Sequence, residues 1–96
     1  MAMKTFTFYE SYPEIKVRVS SSGDFLVKVL CENSKDIHAK ILGEIQKLNL
    51  SVTGSYQLPF GTSLVDITVV AKLEKELEME LEDFVESLRV AIQQLR

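Results

Sequence analysis

Two alternating stretches separated by a very short turn constrain the fold of this chain most strongly. Residues 15–19 and 25–31 each place apolar side chains at every second position, which is the pattern of a β-strand. The intervening residues, 20–24, have the composition of a turn and are too few to cross a sheet, so the two strands pair antiparallel as a hairpin. Because the second strand is apolar on both faces except at Lys28, we expect it in the interior of a sheet.

Two later stretches have helical spacing. Apolar residues recur every three or four positions over about 35–48, which predicts a helix with capping side chains from residues 33–36 and Asn49 as its stop. A second apolar stripe predicts a helix over about 79–94. Its apolar residues also follow heptad spacing, but the run is shorter than three heptads, so we favour packing on a sheet over a coiled coil. Acidic residues crowd its start, either as a solvated face that matches the helix dipole or as a surface that docks a partner.

Two further strands lie between the predicted helices. In residues 50–58 the large apolar side chains occupy even positions, which predicts a strand with these side chains on one face. Gly54 and the following Pro59 are tolerated at a sheet edge and disfavoured in its centre, so we expect an edge strand. Residues 60–63 predict the next turn, and the β-branched stretch 65–71 predicts an interior strand.

The order of these elements predicts an α+β fold. A helix that crosses over a sheet connects parallel strands, so the second and third strands run parallel with the fourth inserted between them. The result is a ferredoxin-like sandwich in ββαββα order, a cyclic rearrangement of βαββαβ. Its four-stranded antiparallel sheet has the order first, second, fourth, third, with two helices on one face.

This arrangement leaves one sheet face and one sheet edge uncovered, and both are candidate dimer interfaces. The predicted open face carries an apolar set among polar neighbours, namely Leu26, Leu30, Leu64 and Val70. The predicted edge comprises Leu50, Val52, Thr53, Ser55, Tyr56 and Leu58. We therefore expect self-association through one or both surfaces. The edge is favoured because side-by-side pairing gives one continuous sheet and satisfies backbone groups of both chains.

Composition argues against several functional classes. The 96 residues carry a net charge of −3, whereas a non-specific nucleic-acid binder needs a basic surplus. With one Cys and one His, the chain has no internal disulfide and is a poor candidate for a metal cluster. No apolar run approaches the roughly 18 residues of a membrane span, and the N-terminus has no signal-peptide core. We expect a small intracellular domain without metal or cofactor.

Catalytic motifs are equally scarce, and we predict that the chain is not an enzyme. His38 has no nucleophile at a motif spacing, and Cys31 ends an interior strand in the buried register, as a structural thiol would. Glu82 and Asp83 are adjacent on a helix, so their carboxylates diverge. RNA binding through the open face is disfavoured because the central strands place no aromatic residue there.

Several segments together resemble the ACT-like domain that lies C-terminal to the basic helix-loop-helix (bHLH) region of plant transcription factors. They are 13–19 (PEIKVRV), 26–29 (LVKV), 41–52 (ILGEIQKLNLSV), 58–61 (LPFG) and 65–69 (VDITV). The resemblance covers nearly the whole chain. It implies an ACT-like domain over 13–96, preceded over 1–12 by a flexible arm or a segment left from expression.

The resemblance also implies a function. ACT-like domains of this family form homodimers or heterodimers with related domains and so influence DNA binding indirectly. The implied partners are a second copy and a related ACT-like domain, with nuclear localisation, no membrane and no direct nucleic-acid contact by this domain. Metabolic ACT domains often bind amino acids at a Pro-Gly-containing turn before the first helix. Residues 33–36 lack Pro and Gly, so a small-molecule ligand is not expected, and amino-acid sensing is the alternative function.

Overall fold

The computed structural model describes residues 12–77 and 79–94. Six elements follow the predicted order: β1 (Glu14–Val19), β2 (Asp24–Glu32), α1 (Ile37–Gln46), β3 (Leu50–Phe60), β4 (Leu64–Leu73) and α2 (Leu81–Gln93). The arm expected over residues 1–12 lies outside the described residues, apart from Tyr12.

The four strands form one sheet in the order β1-β2-β4-β3, and each neighbouring pair is antiparallel. Because β4 lies between β2 and β3, these two run parallel and α1 crosses between them. The opening hairpin belongs to the same sheet, since the backbone N–H of Leu73 donates to the carbonyl oxygen of Gly23 at 2.9 Å. The predicted α+β fold in ββαββα order is therefore confirmed.

Both helices pack on one face of this sheet, and the hydrophobic core lies between them and the strands. Ile41 and Ile45 of α1 and Phe84 and Leu88 of α2 are at most 2% exposed. They meet alternate side chains of the two central strands, which are Phe25, Val27, Val29, Cys31, Val65, Ile67, Val69 and Ala71. Within the described residues, no helix covers the opposite face of the sheet, which we call the open face.

The start of α1 differs from the sequence-based prediction. The helix begins at Ile37 and ends at Gln46, and no side chain caps its N-terminus. Asp36 adopts the left-handed conformation, with φ at 65°, whereas a residue that caps through its side chain has extended backbone. The predicted capping was therefore wrong. Asn49 has φ at 63°, which suits its predicted role in ending the helical segment, because Asn tolerates this region better than most residues.

Strand β3 is longer than predicted and includes Pro59 and Phe60, which were expected to lead into the turn. Its outer position in the sheet tolerates Pro59, which cannot donate a backbone hydrogen bond. The turn starts at Gly61, whose φ of 68° is accessible to glycine without strain. Helix α2 begins two residues later than predicted, with Glu82 and Asp83 in its first turn, where acidic groups favour the helix dipole.

Candidate interaction surface

A β-bulge in β3 determines which side chains reach the open face. The pairing passes from Val52 opposite Ala71 to Gly54 opposite Val70, so Thr53 is an extra residue. The Thr53 hydroxyl donates to the carbonyl oxygen of Val70 at 3.1 Å. Compared with simple alternation along the strand, this extra residue places every later side chain on the other face of the sheet.

The bulge therefore separates side chains that simple alternation places together. Leu50 is 3% exposed and Val52 packs against the core, so both face the helices. Beyond the bulge, Tyr56, Leu58 and Phe60 pair with open-face positions of β4. The prediction that Tyr56 and Leu58 share a face with Leu50 was wrong. The signal for the change was Gly54, because a glycine within a strand pattern often marks a bulge.

Three large side chains of β3 consequently form an exposed row on the open face, which we call the aromatic stripe (Tyr56, Leu58 and Phe60). They are 52%, 53% and 56% exposed, respectively. Val70 of the adjacent strand is 40% exposed beside them. Exposed apolar side chains are common singly, but a contiguous group of this kind indicates a contact surface. Sequence reasoning missed Phe60 because it was assigned to the turn.

The four apolar residues predicted for the open face all lie there. Leu26, Leu30 and Leu64 are partly buried, and Val70 is exposed. Lys28, Asp66 and Thr68 lie among them, as expected from the alternation of β2 and β4. Whether these residues contact a partner stays a prediction.

The predicted edge residues lie in the core, on the exposed helix side of β3 and on the open face. The side chain of Leu50 belongs to the core, so this position can serve an edge contact only through its backbone. The Ser55 hydroxyl oxygen lies 3.1 Å from Nε2 of His38, which places α1 over the helix side of β3. Beyond the bulge, residues 54–60 pair regularly with β4, but Pro59 has no N–H to donate, so the uninterrupted edge is residues 54–58. The edge available for backbone pairing with another chain is therefore short.

The opposite side of the open face carries a cluster of three cations, with Glu14, Asp24 and Glu32 around it. Lys16 and Arg18 of β1 pair with Lys28 and Leu26 of β2, and the three cationic residues form what we call the basic stripe (Lys16, Arg18 and Lys28). With Leu26 they line a depression of about 200 Å³. A neighbouring depression of about 170 Å³ is lined by cationic, acidic and apolar side chains, which are Glu14, Lys16, Lys28, Leu30, Phe60 and Asp66. The two stripes thus belong to one continuous surface.

The side chains considered for chemistry have structural surroundings. Cys31 is 1% exposed, and burial, followed by the nearby charge of Glu32, raises the pKa of its thiol to about 11. This thiol is therefore protonated at neutral pH and is a weak nucleophile. Among residues 12–77 and 79–94, no three His, Cys, Asp or Glu side chains are grouped so that they could hold a metal ion.

A small cavity lies beside the turn between β2 and α1. It has a volume of about 160 Å³, and its lining includes Cys31, Asn33, Ser34, Ile37 and Ile92. Binding sites for small organic molecules typically occupy at least about 300 Å³. In the part of the chain that the structure describes, neither helix is long and apolar enough to cross a bilayer.

Comparison with known proteins finds relatives among plant transcription factors. Transcription factor bHLH25 of Arabidopsis thaliana is 50% identical over 80 residues, which are 83% of this chain and 24% of the relative. Transcription factor bHLH18 of the same plant is 46% identical over 83 residues, which are 86% of this chain and 27% of the relative. Transcription factor NAI1, also from Arabidopsis thaliana, is 38% identical over 85 residues, with 88% and 26% covered.

The chain thus spans about a quarter of the length of the curated relatives it matches. By their names these relatives are transcription factors rather than enzymes. No protein-family model matches the chain, and no solved structure matches it.

Proposed function

Because the chain is homologous to part of plant bHLH transcription factors, we propose that it is an ACT-like dimerisation domain of such a factor. In this role it binds a second copy of itself or a related domain. It then controls which homodimers or heterodimers form, and so acts on DNA binding indirectly. The proposed location is the nucleus, and the domain itself contacts no nucleic acid.

The observation that carries this proposal is the aromatic stripe. Its three side chains are each more than half exposed on a sheet face that no described helix covers. Exposing such a row to water is unfavourable by about 25 cal/mol per Å² of apolar surface. Burial against another protein removes this cost, so a protein partner is the natural occupant of the surface.

Two routes to dimerisation are compatible with this surface. The open face can pack on the open face of another copy and bury the aromatic stripe directly. Alternatively, residues 54–58 of the β3 edge can pair side by side with another strand and join two sheets into one. The other edge, β1, has six residues and carries Glu14, Lys16 and Arg18, and short charged edges oppose such pairing.

The proposal is tested by measuring the molar mass of the chain in solution. Light scattering coupled to gel filtration, at micromolar to submillimolar concentration, should give the mass of a dimer or a mass between monomer and dimer. Mixtures with the matching segments of bHLH18 and bHLH25 test pairing with related domains. A strict monomer, alone and in every mixture, would contradict the proposal.

A matched pair of variants tests whether the aromatic stripe is responsible. Leu58→Glu places a negative charge in the stripe beside Asp66 and should shift the chain towards monomer. Gln57→Glu introduces the same charge one residue earlier on the same strand, where the exposed side chain faces the helix side. It should leave association unchanged. Equal effects of the two variants would point to the edge and not to the face.

A second function, binding of an amino acid, is favoured only by the cavity of about 160 Å³ beside the β2–α1 turn. Calorimetric titration with a panel of amino acids tests it. Heat from one of them, abolished by Ser34→Trp in the lining, would support a sensor. The absence of heat with every amino acid would remove this alternative.

A further inference from the structure

The open face has a cluster of cations in one half and a row of large apolar side chains in the other. The basic stripe occupies the β1–β2 half, and the aromatic stripe occupies the β3 side of the other half. We infer that two copies pack open face to open face about a two-fold axis parallel to the strands and located between β2 and β4. Lys16 of each basic stripe then lies over Tyr56 of the other copy's aromatic stripe. This inference rests on the proposed dimerisation and specifies its geometry.

The strand register supports this axis. Lys16, Lys28, Thr68 and Tyr56 are successive partners in one row across the sheet. Rotation about the axis exchanges the ends of the row, so Lys16 lies over Tyr56 of the second copy and Lys28 over its Thr68. Packed sheets are about 10 Å apart, a distance that Lys and Tyr side chains span together. A Lys ammonium over a Tyr ring is a favourable cation–π contact.

The rows on the Leu26 side of this row are also complementary. In the next row, Leu26 pairs with Val70, and the axis places each over the other residue in the second copy. One row further, Asp24 pairs with Lys72, and the two form a salt bridge of 3.7 Å within the chain. The same rotation places Asp24 over Lys72 of the second copy, so opposite charges meet there as well.

A two-fold axis perpendicular to the strands, through the row of Lys28, has the opposite effect. It places Lys16 on Lys16 and Lys28 on Lys28 of the second copy. Like charges that meet in an interface cost free energy. Side-by-side pairing through β3 alone avoids this repulsion, but it leaves the aromatic stripe exposed. The axis parallel to the strands covers the open face without such like-charge contacts: it places Lys16 over Tyr56, whereas Glu14 lies over Leu58.

An unpaired buried hydroxyl lies at the centre of the proposed interface. Thr68 is 5% exposed on the open face, and its Oγ1 has no hydrogen-bond partner among the described residues. A buried polar atom without a partner costs about 1–3 kcal/mol. The proposed packing brings the ammonium of Lys28 from the second copy over this residue, where it can donate a hydrogen bond.

The area of the face sets the strength of the dimer. Strands about 4.8 Å apart and up to about 30 Å long give the four-stranded face an area of roughly 500 Å². Two copies therefore bury on the order of 1,000 Å², which is near the lower limit for a specific interface. We expect a weak dimer of the isolated chain, in the micromolar range.

Charge complementation between two variants tests the geometry. Tyr56→Lys places a cation opposite Lys16 of the second copy, and Lys16→Glu removes the cation that faces Tyr56. By sedimentation equilibrium, each variant alone should raise the dimer dissociation constant at least about tenfold. In an equimolar mixture, the introduced lysine meets the introduced glutamate across one contact, and the other contact is native. The mixture should therefore dimerise within about threefold of the unmodified chain.

The conservative variants Tyr56→Phe and Lys16→Arg keep a ring and a cation, so both should dimerise like the unmodified chain. Circular dichroism and thermal unfolding establish that every variant is folded, and both substituted positions are exposed strand sites that tolerate substitution.

The outcomes separate this inference from the proposed function. If the unmodified chain dimerises but the mixture does not recover, the proposed function stands and the face-to-face geometry is wrong. The same conclusion follows if neither single variant weakens the dimer. If the unmodified chain stays monomeric alone and with related domains, the proposed function itself fails.

Discussion

The hydroxyl of Thr53 is hydrogen-bonded to the carbonyl oxygen of Val70, and this bond holds the point at which β3 exchanges its inner and outer faces. On one side of it the apolar residues of the strand belong to the core. On the other side they form the aromatic stripe. A single side-chain contact therefore helps to determine whether three large residues are buried or offered to a partner.

Thr53→Val should destabilise the bulge, because valine keeps the shape of threonine but leaves the carbonyl oxygen of Val70 without its donor. We expect a loss of about 1 kcal/mol in the free energy of unfolding, measured by urea titration. Thr53→Ser keeps the hydroxyl and should lose less. Equal losses in the two variants would show that the hydrogen bond is not responsible.

Leu88→Ala should cost about 3 kcal/mol of unfolding free energy, because Leu88 is 0% exposed between α2 and the sheet and its truncation leaves a cavity. Val90→Ala is the control on the same helix, since Val90 is 45% exposed. Its effect should stay within about 0.5 kcal/mol. Similar midpoints of urea unfolding for the two variants would contradict the described packing of α2.

Arg89→Met should loosen the start of β1. The guanidinium Nη1 of Arg89 donates to the carbonyl oxygen of Pro13 at 2.6 Å, a contact that joins α2 to the residue before β1. Loss of this charge-assisted bond should cost about 1–2 kcal/mol and speed amide hydrogen exchange in β1. Glu86→Gln removes only an exposed ion pair of 3.8 Å with Arg89 and should change stability little. Unchanged exchange in the Arg89 variant would argue against the anchor.

The stability of the chain should fall as the pH rises from about 9 to about 11. The pKa of the Cys31 thiol is raised from 9.0 to about 11 in the folded chain, so between these values the unfolded state loses its proton while the folded state keeps it. The contribution of this thiol to the free energy of unfolding is fully present below pH 9. It falls by an amount on the order of 2 kcal/mol as the pH approaches 11. Cys31→Ala provides the reference, because the difference from wild type isolates the thiol. A difference that stays constant from pH 7 to 11 would contradict the raised pKa.

Much of the fold could be predicted from the sequence because it depends on periodicity and on connection length. The short turn at 20–24 leaves only an antiparallel hairpin, and the helix that follows requires a parallel crossover, which fixes the strand order. The interior positions of β2 and β4 followed from their apolar content on both faces. These are properties of whole segments, so no single residue decides them.

The details that escaped prediction depend on single residues. The capping side chains expected before α1 are not used, because the left-handed backbone of Asp36 leads the chain into the helix without a side-chain cap. The inversion of β3 depends on one extra residue, Thr53, and periodicity counted over 50–58 does not detect it. The aromatic stripe escaped for the same reason. The identity of a partner is a property of two chains, and one amphipathic pattern does not encode it.

The bulge accommodates one residue more than regular pairing between β3 and β4 requires. If Thr53 alternated regularly with its neighbours, Tyr56, Leu58 and Phe60 would turn towards the helices and their polar neighbours would be exposed instead. Deleting Thr53 would leave Val52 and Gly54 adjacent, with their present partners Ala71 and Val70, so the aromatic stripe would stay on the open face. A related chain that lacks this residue could therefore present the same surface from an unbroken strand.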